Sequence, residues 1–567
     1  MMKDGLTKRV QMVMDGISKE EPKASTEELL SLWRATGERE ENYALRRGKF
    51  FRFCMGKIET PIYEGERIVG HFPYKEWNCN RCCLPDPLTP EEREQAFARI
   101  DKEFMARTGR DSVPDFQKWR DVTLGGMLPD GTDGVNPLTY LALNATRRLK
   151  IFQPKLNARI WEGSPEEYVA ACVQTARQNC GPMIYCDEVS IAALEKYGYS
   201  RQDARNYGII GCYEMAAPGK ECGNPMGGAV NVGKFLELAM NNGAFISTGE
   251  QIGPQTGYLD QFENLDQLRQ AFQKQTEFAL DVLEQRLIYD ALRHSLLIPH
   301  ALESVLVEGC LQSGRDVSQS GARLTTVGMR MSGLVQTADS FTALQKLVFQ
   351  EKVLPVERLW AGIRTNFAQD EVLRAMLVNR APKYGNDCDE ADQMVRELGQ
   401  YLCGEIQKRH HISGAPLRPG LFSFLQFMNG ERCSALPDGH REGQPFANGV
   451  SPTHGADQQG LTAMLRSAAK LDYSLSNNAA TLDVKLPLDL FSGENGVKAL
   501  SQILRTFFRE GEMQVQLYFL SERELREAQK RPEEYAGLIV RVTGYSAYFT
   551  ELDKNLQEEV IMRTAAF

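Results

Sequence analysis

The chain has 567 residues, 42% hydrophobic and 25% charged, the make-up of an ordinary globular protein with ample length for a large core. A formal net charge of -9 without any basic block argues against a nucleic-acid surface, and no run of about 18 uninterrupted apolar residues offers a membrane span. The start, Met1-Met2-Lys3-Asp4-Gly5, lacks the apolar core of a signal peptide, and thirteen scattered cysteines read as reduced thiols, so the cytoplasm is the expected location.

The first 120 residues are predicted to be mostly helical. Lys8 to Gly16 and Thr26 to Gly37 carry helical spacing, and Leu88-Thr89-Pro90-Glu91-Glu92 is a helix start, with Thr89 as N-cap and Pro90 in the first turn. Between them, the stretch from Pro61 to Gly70 reads as a turn followed by a short strand. Cys79-x-x-Cys82-Cys83, with Cys54 upstream and His71 nearby, has no complementary ligand pair and is read as structural or surface thiols. No metal site is expected.

From about residue 120, short β-like or loop segments alternate with long amphipathic helices. Leu265 to Ala291 and Thr337 to Glu351 carry the strongest helical signals. Turns such as Leu436-Pro437-Asp438-Gly439-His440 punctuate the helices. The alternation predicts an α/β catalytic domain.

The chemistry concentrates in two places. Near the C-terminus, Arg541-Val542-x-Gly544-Tyr545-Ser546-x-x-Phe549 follows the run from Gln529 to Tyr535. Alone, Gly544 would be a turn glycine or a point of close backbone approach. With its neighbours, the segment closely resembles the glycyl radical signature of the pyruvate formate-lyase-like enzymes. That signature explains the glycine. A radical at Cα is flanked by an amide nitrogen and a carbonyl that delocalise the unpaired electron over a planar centre, and a side chain would crowd it.

Upstream, the run from Asp203 through Gly211-Cys212-Tyr213-Glu214 resembles the family's active-site cysteine loop. A lone cysteine is usually a small buried hydrophobe. In this family the stored radical needs a relay, and a thiol suits it because its S–H bond is close in strength to the glycyl Cα–H bond. The resemblance therefore implies that Cys212 forms the thiyl radical that takes hydrogen from substrate. Glu214, alone a solvated loop carboxylate, becomes the candidate general base for the acidic hydroxyl of a ketyl-type radical. Cys-x-Glu resembles the eliminating branch: diol, choline and hydroxyproline lyases, and some decarboxylases. Tyr213 stands where the acyl-transferring branch has a second cysteine.

Further resemblance runs from about residue 120 to 567. It includes Pro182 to Val189, Asn231 to Ala239, Gly314 to Val317, Ala338-Asp339-Ser340, Pro382 to Asp387 and Gly449-Val450-Ser451-Pro452, most of which also read as core and turn residues. Two departures stand out. Only about fifty residues separate Ile68-Val69-Gly70 from Leu124-Gly125-Gly126, where relatives have a much longer stretch. Fourteen residues after Cys212, where diol dehydratases place an aspartate that binds substrate hydroxyls, stands Met226.

The fold implied is the glycyl radical enzyme barrel, a ten-stranded α/β barrel wrapped by helices and here depleted. Its expected divisions are a helical region 1–120, a barrel core 121–440 carrying the cysteine loop, and a glycyl radical domain 441–567. The function implied is radical elimination, a dehydratase-type C–O lyase reaction on a small hydroxylated substrate in anaerobic metabolism. A decarboxylase, a C–N or C–S lyase, a less favoured acyltransferase and a catalytically inactive shortened relative stay open. The resemblance also implies a separate S-adenosylmethionine iron–sulfur activating enzyme that installs the radical at Gly544. No other bound cofactor is implied, and the assembly suggested by relatives is a homodimer.

Overall fold

A computed structural model describes residues 62–64, 67–70, 121–149, 154–178, 181–297, 300–423, 426–486, 491–542, 544 and 546–564. The helices expected at 8–16 and 26–37, the helix start at Thr89, and the Cys79, Cys82, Cys83, Cys54 and His71 group lie outside these residues. The stretch read as a turn and one strand is an antiparallel hairpin, β1 (Ile62–Glu64) with β2 (Arg67–Gly70), in which Glu64 pairs with Arg67. It belongs to one compact unit, Gln11–Arg120, and Asp121–Phe567 belongs to the other.

The second unit is described by itself. Its strands begin with β3 (Asp121–Gly125), β4 (Lys155–Ile160) and β5 (Met183–Cys186). Next come β6 (Gly208–Ile210), β7 (Glu214–Ala216), β8 (Glu221–Asn231), β9 (Leu324–Ser332) and β10 (Arg418–Leu421). The last are β11 (Ala479–Ala480), β12 (Leu482–Lys485), β13 (Gln514–Tyr518), β14 (Ile539–Arg541) and β15 (Ser546–Tyr548).

One sheet has the order β12-β13-β5-β4-β3 and the other β11-β10-β9-β8. Every pairing in them is parallel except β13 with β5. Among the described residues these barrel sheets therefore hold nine strands, five and four, against the ten of the expected architecture. The chain steps from one sheet to the other at Thr481, which alone separates β11 from β12. Parallel neighbours need long crossovers, and helices supply them. Pro137–Leu149 links β3 to β4, and Glu166–Ala176 links β4 to β5. Buried residues of both sheets and their helices share one hydrophobic core.

The predicted helix at 265–291 is present and runs on to Leu297. The one predicted at 337–351 starts earlier, at Leu334, and its final part, Leu344–Gln350, is wound as a π-helix. The turn at 436–440 closes through Gly439 at φ +96°, a backbone angle that favours glycine. No helix among the described residues is long and apolar enough to cross a membrane.

β4 shows how this core differs from a plain apolar one. All six of its residues are buried, yet they alternate in polarity, Lys155-Leu156-Asn157-Ala158-Arg159-Ile160. Successive side chains of a strand face opposite ways, so Lys155, Asn157 and Arg159 share one face. That polar face meets the hairpin β6–β7. Arg159 Nη1 donates to the Tyr207 carbonyl at 3.1 Å, and Lys155 Nζ donates to the Cys212 carbonyl at 3.0 Å. From the four-stranded sheet, Arg418 Nη2 donates to the Met215 carbonyl at 2.8 Å. The hairpin is thus held between the two sheets.

A second buried polar group carries a prediction. Glu512, just before β13, is fully buried, and burial pushes its carboxyl up from 4.5 to about 8. Tyr473 Oη lies 2.6 Å from Glu512 Oε2 and 3.0 Å from the Ala468 carbonyl. One hydroxyl proton serves only one of these contacts, so a protonated Glu512 donating to Tyr473 satisfies both. The folded state then holds a proton that the unfolded chain releases near 4.5. This stabilisation is complete below pH 4.5 and is lost as pH rises to about 8. Glu512→Gln needs no proton to make the same bonds. In urea titrations its stability relative to the parent should rise from pH 5 to 8 and then level off. A constant difference across that range would show that Glu512 is ionised throughout.

Candidate active site

The hairpin β6–β7 pairs Ile210 with Glu214, which leaves Gly211, Cys212 and Tyr213 as its tip. Gly211 has φ +59°, and a Cβ there would lie 2.9 Å from Glu214 Oε2, so both backbone angle and space call for glycine. The root of the hairpin is fixed by a buried ionic group. Arg159 Nε and Nη2 each donate to Asp187 at 2.8 Å, and Tyr207 Oη donates to Asp187 Oδ1 at 2.8 Å. The Arg159 guanidinium also lies 4.0 Å from the centre of the Tyr207 ring. Breaking one partner of such a buried pair is costly, which makes this root a rigid base for the tip.

Glu214 is 0% exposed. Its Oε2 accepts from the backbone N–H groups of Cys212 at 2.7 Å and Tyr213 at 2.9 Å, whereas Oε1 has no hydrogen-bond partner among the described residues. Burial raises its pKa above the ordinary glutamate value, against the opposing pull of those N–H bonds and of Arg330. A buried carboxylate with one oxygen committed and the other open can accept a proton from a molecule beside it.

Cys212 is also buried, and its thiol is pushed up to about 12, first by burial and then by the Glu214 carboxylate. At neutral pH it is therefore S–H. Nucleophilic cysteines depend on the opposite, a lowered pKa and a ready thiolate. A neutral, desolvated thiol is suited to giving and taking a hydrogen atom. Tyr213 points elsewhere. Its ring packs edge-on to Phe422, Asn448 Nδ2 donates to its hydroxyl at 3.1 Å, and Tyr185 Oη donates to its carbonyl at 3.2 Å.

Gly544 lies in the tip of a second hairpin, between Arg541 and Ser546, which pair across β14 and β15. The two tips meet. A Cβ on Gly544 would fall 2.3 Å from Cys212 Cβ, 2.5 Å from its Cα and 3.0 Å from its carbonyl carbon. The Gly544 Cα is thus within van der Waals reach of Cys212, although 331 residues separate the two in sequence. The segment that carries Gly544 has a small core of its own, with Leu525, Val540, Val542 and Phe549 packed against Val560 and Ile561.

Met226 sits where the pairing of β8 with β9 slips, between Asn224 and Gly228, and its carbonyl accepts from Arg330 Nη2 at 3.3 Å. Arg330 is buried on β9, and its charge favours the ionised forms of both Cys212 and Glu214. Sequence reading singled out neither Arg330 nor Lys155. The available signal was the polar alternation of β4, which in a sequence reads as a solvent-facing strand.

Comparison with known proteins bears on the family of the chain. The family profile described as pyruvate formate lyase-like matches residues 99–426, and the one described as glycine radical matches 446–550. The trans-4-hydroxy-L-proline dehydratase of Clostridioides difficile is 32% identical over 454 residues, which cover 79% of this chain and 57% of that protein. The isethionate sulfite-lyase of Bilophila wadsworthia is 30% identical over 540 residues, 92% of this chain and 64% of that protein. Among solved structures, the glycerol-bound form of the B12-independent glycerol dehydratase from Clostridium butyricum superposes with a TM-score of 0.76 at 34% identity, covering 79% of this chain and 57% of that one. The chain spans somewhat more than half the length of the relatives it matches. By the profiles that cover it, by its identity to these relatives and by its barrel, the chain belongs to the pyruvate formate-lyase-like family of glycyl radical enzymes.

Proposed function

We propose that this protein is a glycyl radical lyase of the dehydratase type, which removes water from a small hydroxylated substrate. The observation that carries the reading is the contact of Gly544 with Cys212 beside a buried Glu214 whose Oε1 is open. Gly544 stores the radical. The Cys212 S–H bond breaks as its hydrogen passes to the Gly544 Cα, which leaves a thiyl radical at Sγ. The thiyl takes a hydrogen atom from a substrate carbon that bears a hydroxyl, restoring the S–H bond. Glu214 Oε1 accepts the proton of that hydroxyl while the hydroxyl on the neighbouring carbon leaves, and proton and hydroxide together balance as water. The product radical regains a hydrogen atom from Cys212, and the thiyl recovers its own from Gly544.

Each step asks for a property found at the site. Atom transfer needs a neutral thiol, and burial holds Cys212 as one. The base needs a raised pKa and a free oxygen, and Glu214 has both. The reading also takes in an S-adenosylmethionine iron–sulfur activating enzyme as the source of the radical. Because the Gly544 segment has its own core, it can leave the barrel to meet that partner and return.

The test is Glu214→Gln. Glutamine keeps an oxygen to accept the two backbone N–H bonds but places an amide where Oε1 was, which cannot take a proton. Product formation should fall by about 10²–10⁴-fold, the usual share of a positioned base. The radical signal on Gly544 should be unchanged. In the parent, kcat/KM should fall as pH drops through a pKa above that of ordinary glutamate, since only the ionised form is a base, and the variant should lose this limb. A variant with normal radical content and near-normal turnover would sink the elimination mechanism and leave the family assignment standing.

A further inference from the structure

We infer that Lys155 is a positioning residue for the radical relay: together with Glu214 it locks both peptide planes that flank the Cys212 Cα. This rests on the reading of Cys212 as the relay. Each peptide plane has a carbonyl end and an N–H end. Lys155 Nζ donates to the Gly211 and Cys212 carbonyls, and Glu214 Oε2 accepts from the Cys212 and Tyr213 N–H groups. Both planes are therefore tied at both ends, one charge on each side, and the two backbone torsions of Cys212 have no freedom left. The third donor of the ammonium goes to Asp121 Oδ1 at 2.6 Å. Asp121 and Lys155 are register partners on adjacent parallel strands, so the five-stranded sheet itself sets where the ammonium stands. With three acceptors for three donors, Lys155 is satisfied without any substrate.

The function of such a clamp follows from the reaction. Hydrogen passes from sulfur to carbon twice in each cycle, to two different partners, the Gly544 Cα and a substrate carbon. Atom transfer tolerates little misplacement, and an error of about 1 Å can cost about a hundredfold. Gly211 in the left-handed region makes the tip adaptable, and a three-residue tip fixed only through its own hydrogen bonds would rock. Protonation of Glu214 at Oε1 leaves Oε2 free to keep accepting, so the grip persists through the base step.

Lys155→Met tests this, with Asp121→Asn/Lys155→Met as a second variant in which no carboxylate is left uncompensated. Two readouts are used. In unactivated protein, amide deuterium exchange at 208–216 should quicken at least about tenfold, with the remaining strands of both sheets unchanged. In activated protein moved to deuterated buffer, the hydrogen that remains on the glycyl radical should be replaced through the Cys212 thiol, and its hyperfine splitting in the paramagnetic resonance spectrum should collapse. That replacement and turnover should both slow about a hundredfold, with the initial radical content unchanged. Parent-like rates of both kinds in both variants would overturn the inference. A uniform quickening of amide exchange across both sheets would overturn it too, because Lys155 would then hold the fold rather than the tip. Cys212→Ser separates this from the underlying reading: if the glycyl hydrogen still exchanges without the thiol, the relay assignment fails; if exchange stops there yet is unchanged in the Lys155 variants, only the clamp fails.

Discussion

Gly544→Ala protein taken through anaerobic activation should give no organic-radical resonance and no turnover above background. Two independent effects act together. The added methyl would stand 2.3 Å from Cys212 Cβ and 2.5 Å from its Cα, well inside van der Waals contact and against backbone rather than a flexible side-chain end. One hairpin tip has to retreat, and the tip carrying Cys212 is anchored by Lys155 and Glu214, with Arg159 fixing the root of its hairpin. The Gly544 tip is therefore the one displaced. The methyl also crowds the planar geometry through which the amide and carbonyl delocalise the unpaired electron. Air supplies a second readout. Dioxygen adds to a carbon radical and the peroxyl product fragments the backbone, so activated parent protein should be cut at Gly544 and lose about the last two dozen residues of its sequence. The alanine variant should survive air intact. A variant that still shows the resonance would place the radical on another residue.

Cys212→Ser should separate storage from relay. Serine is close in size to cysteine, and the hydrogen bonds that hold Cys212 run to its backbone N–H and carbonyl, so the fold and the Gly544 contact should survive. The radical signal should form as in the parent. Turnover should fall to background, because an alcohol O–H bond is too strong for the stored radical to break. The loss should be independent of pH, which distinguishes it from the loss in Glu214→Gln. Among the described residues, the other buried thiols, Cys172, Cys186, Cys310, Cys403 and Cys433, are alternatives. If Cys212→Ser still turns substrate over, another cysteine is the relay and Cys212 is not part of the catalytic site.

Some of this was legible in the order of residues. Gly544, Cys212 and Glu214 stand out because each lies in a short run that resembles a motif of the family, and the resemblance gives each its expected role: a glycine for a planar radical, a thiol to exchange hydrogen with it, a carboxylate two residues on. The helix predicted at 265–291, which the structure extends to Leu297, was legible because its many helix formers and apolar spacing are local properties. The barrel followed from resemblance, since the alternation of short strands and long helices is common to many α/β proteins.

What the linear order could not contain is which of these local pieces touch. Nothing near Gly544 specifies that its neighbour is the backbone of Cys212, which makes glycine necessary there for steric reasons. Nothing near Lys155 marks it as the partner of two carbonyls in a hairpin tip 56 and 57 residues away. Its strand alternates polar and apolar residues, and in a sequence that pattern says only that two faces differ. The barrel decides that both faces are buried and that the polar one turns inward. Arg330 escaped notice for the same cause, as the one charged residue of its strand. Residue type and spacing determined the chemistry available to this protein. The closure of two sheets around one hairpin determined where that chemistry is held, because contacts between distant segments come from packing, which periodicity does not record.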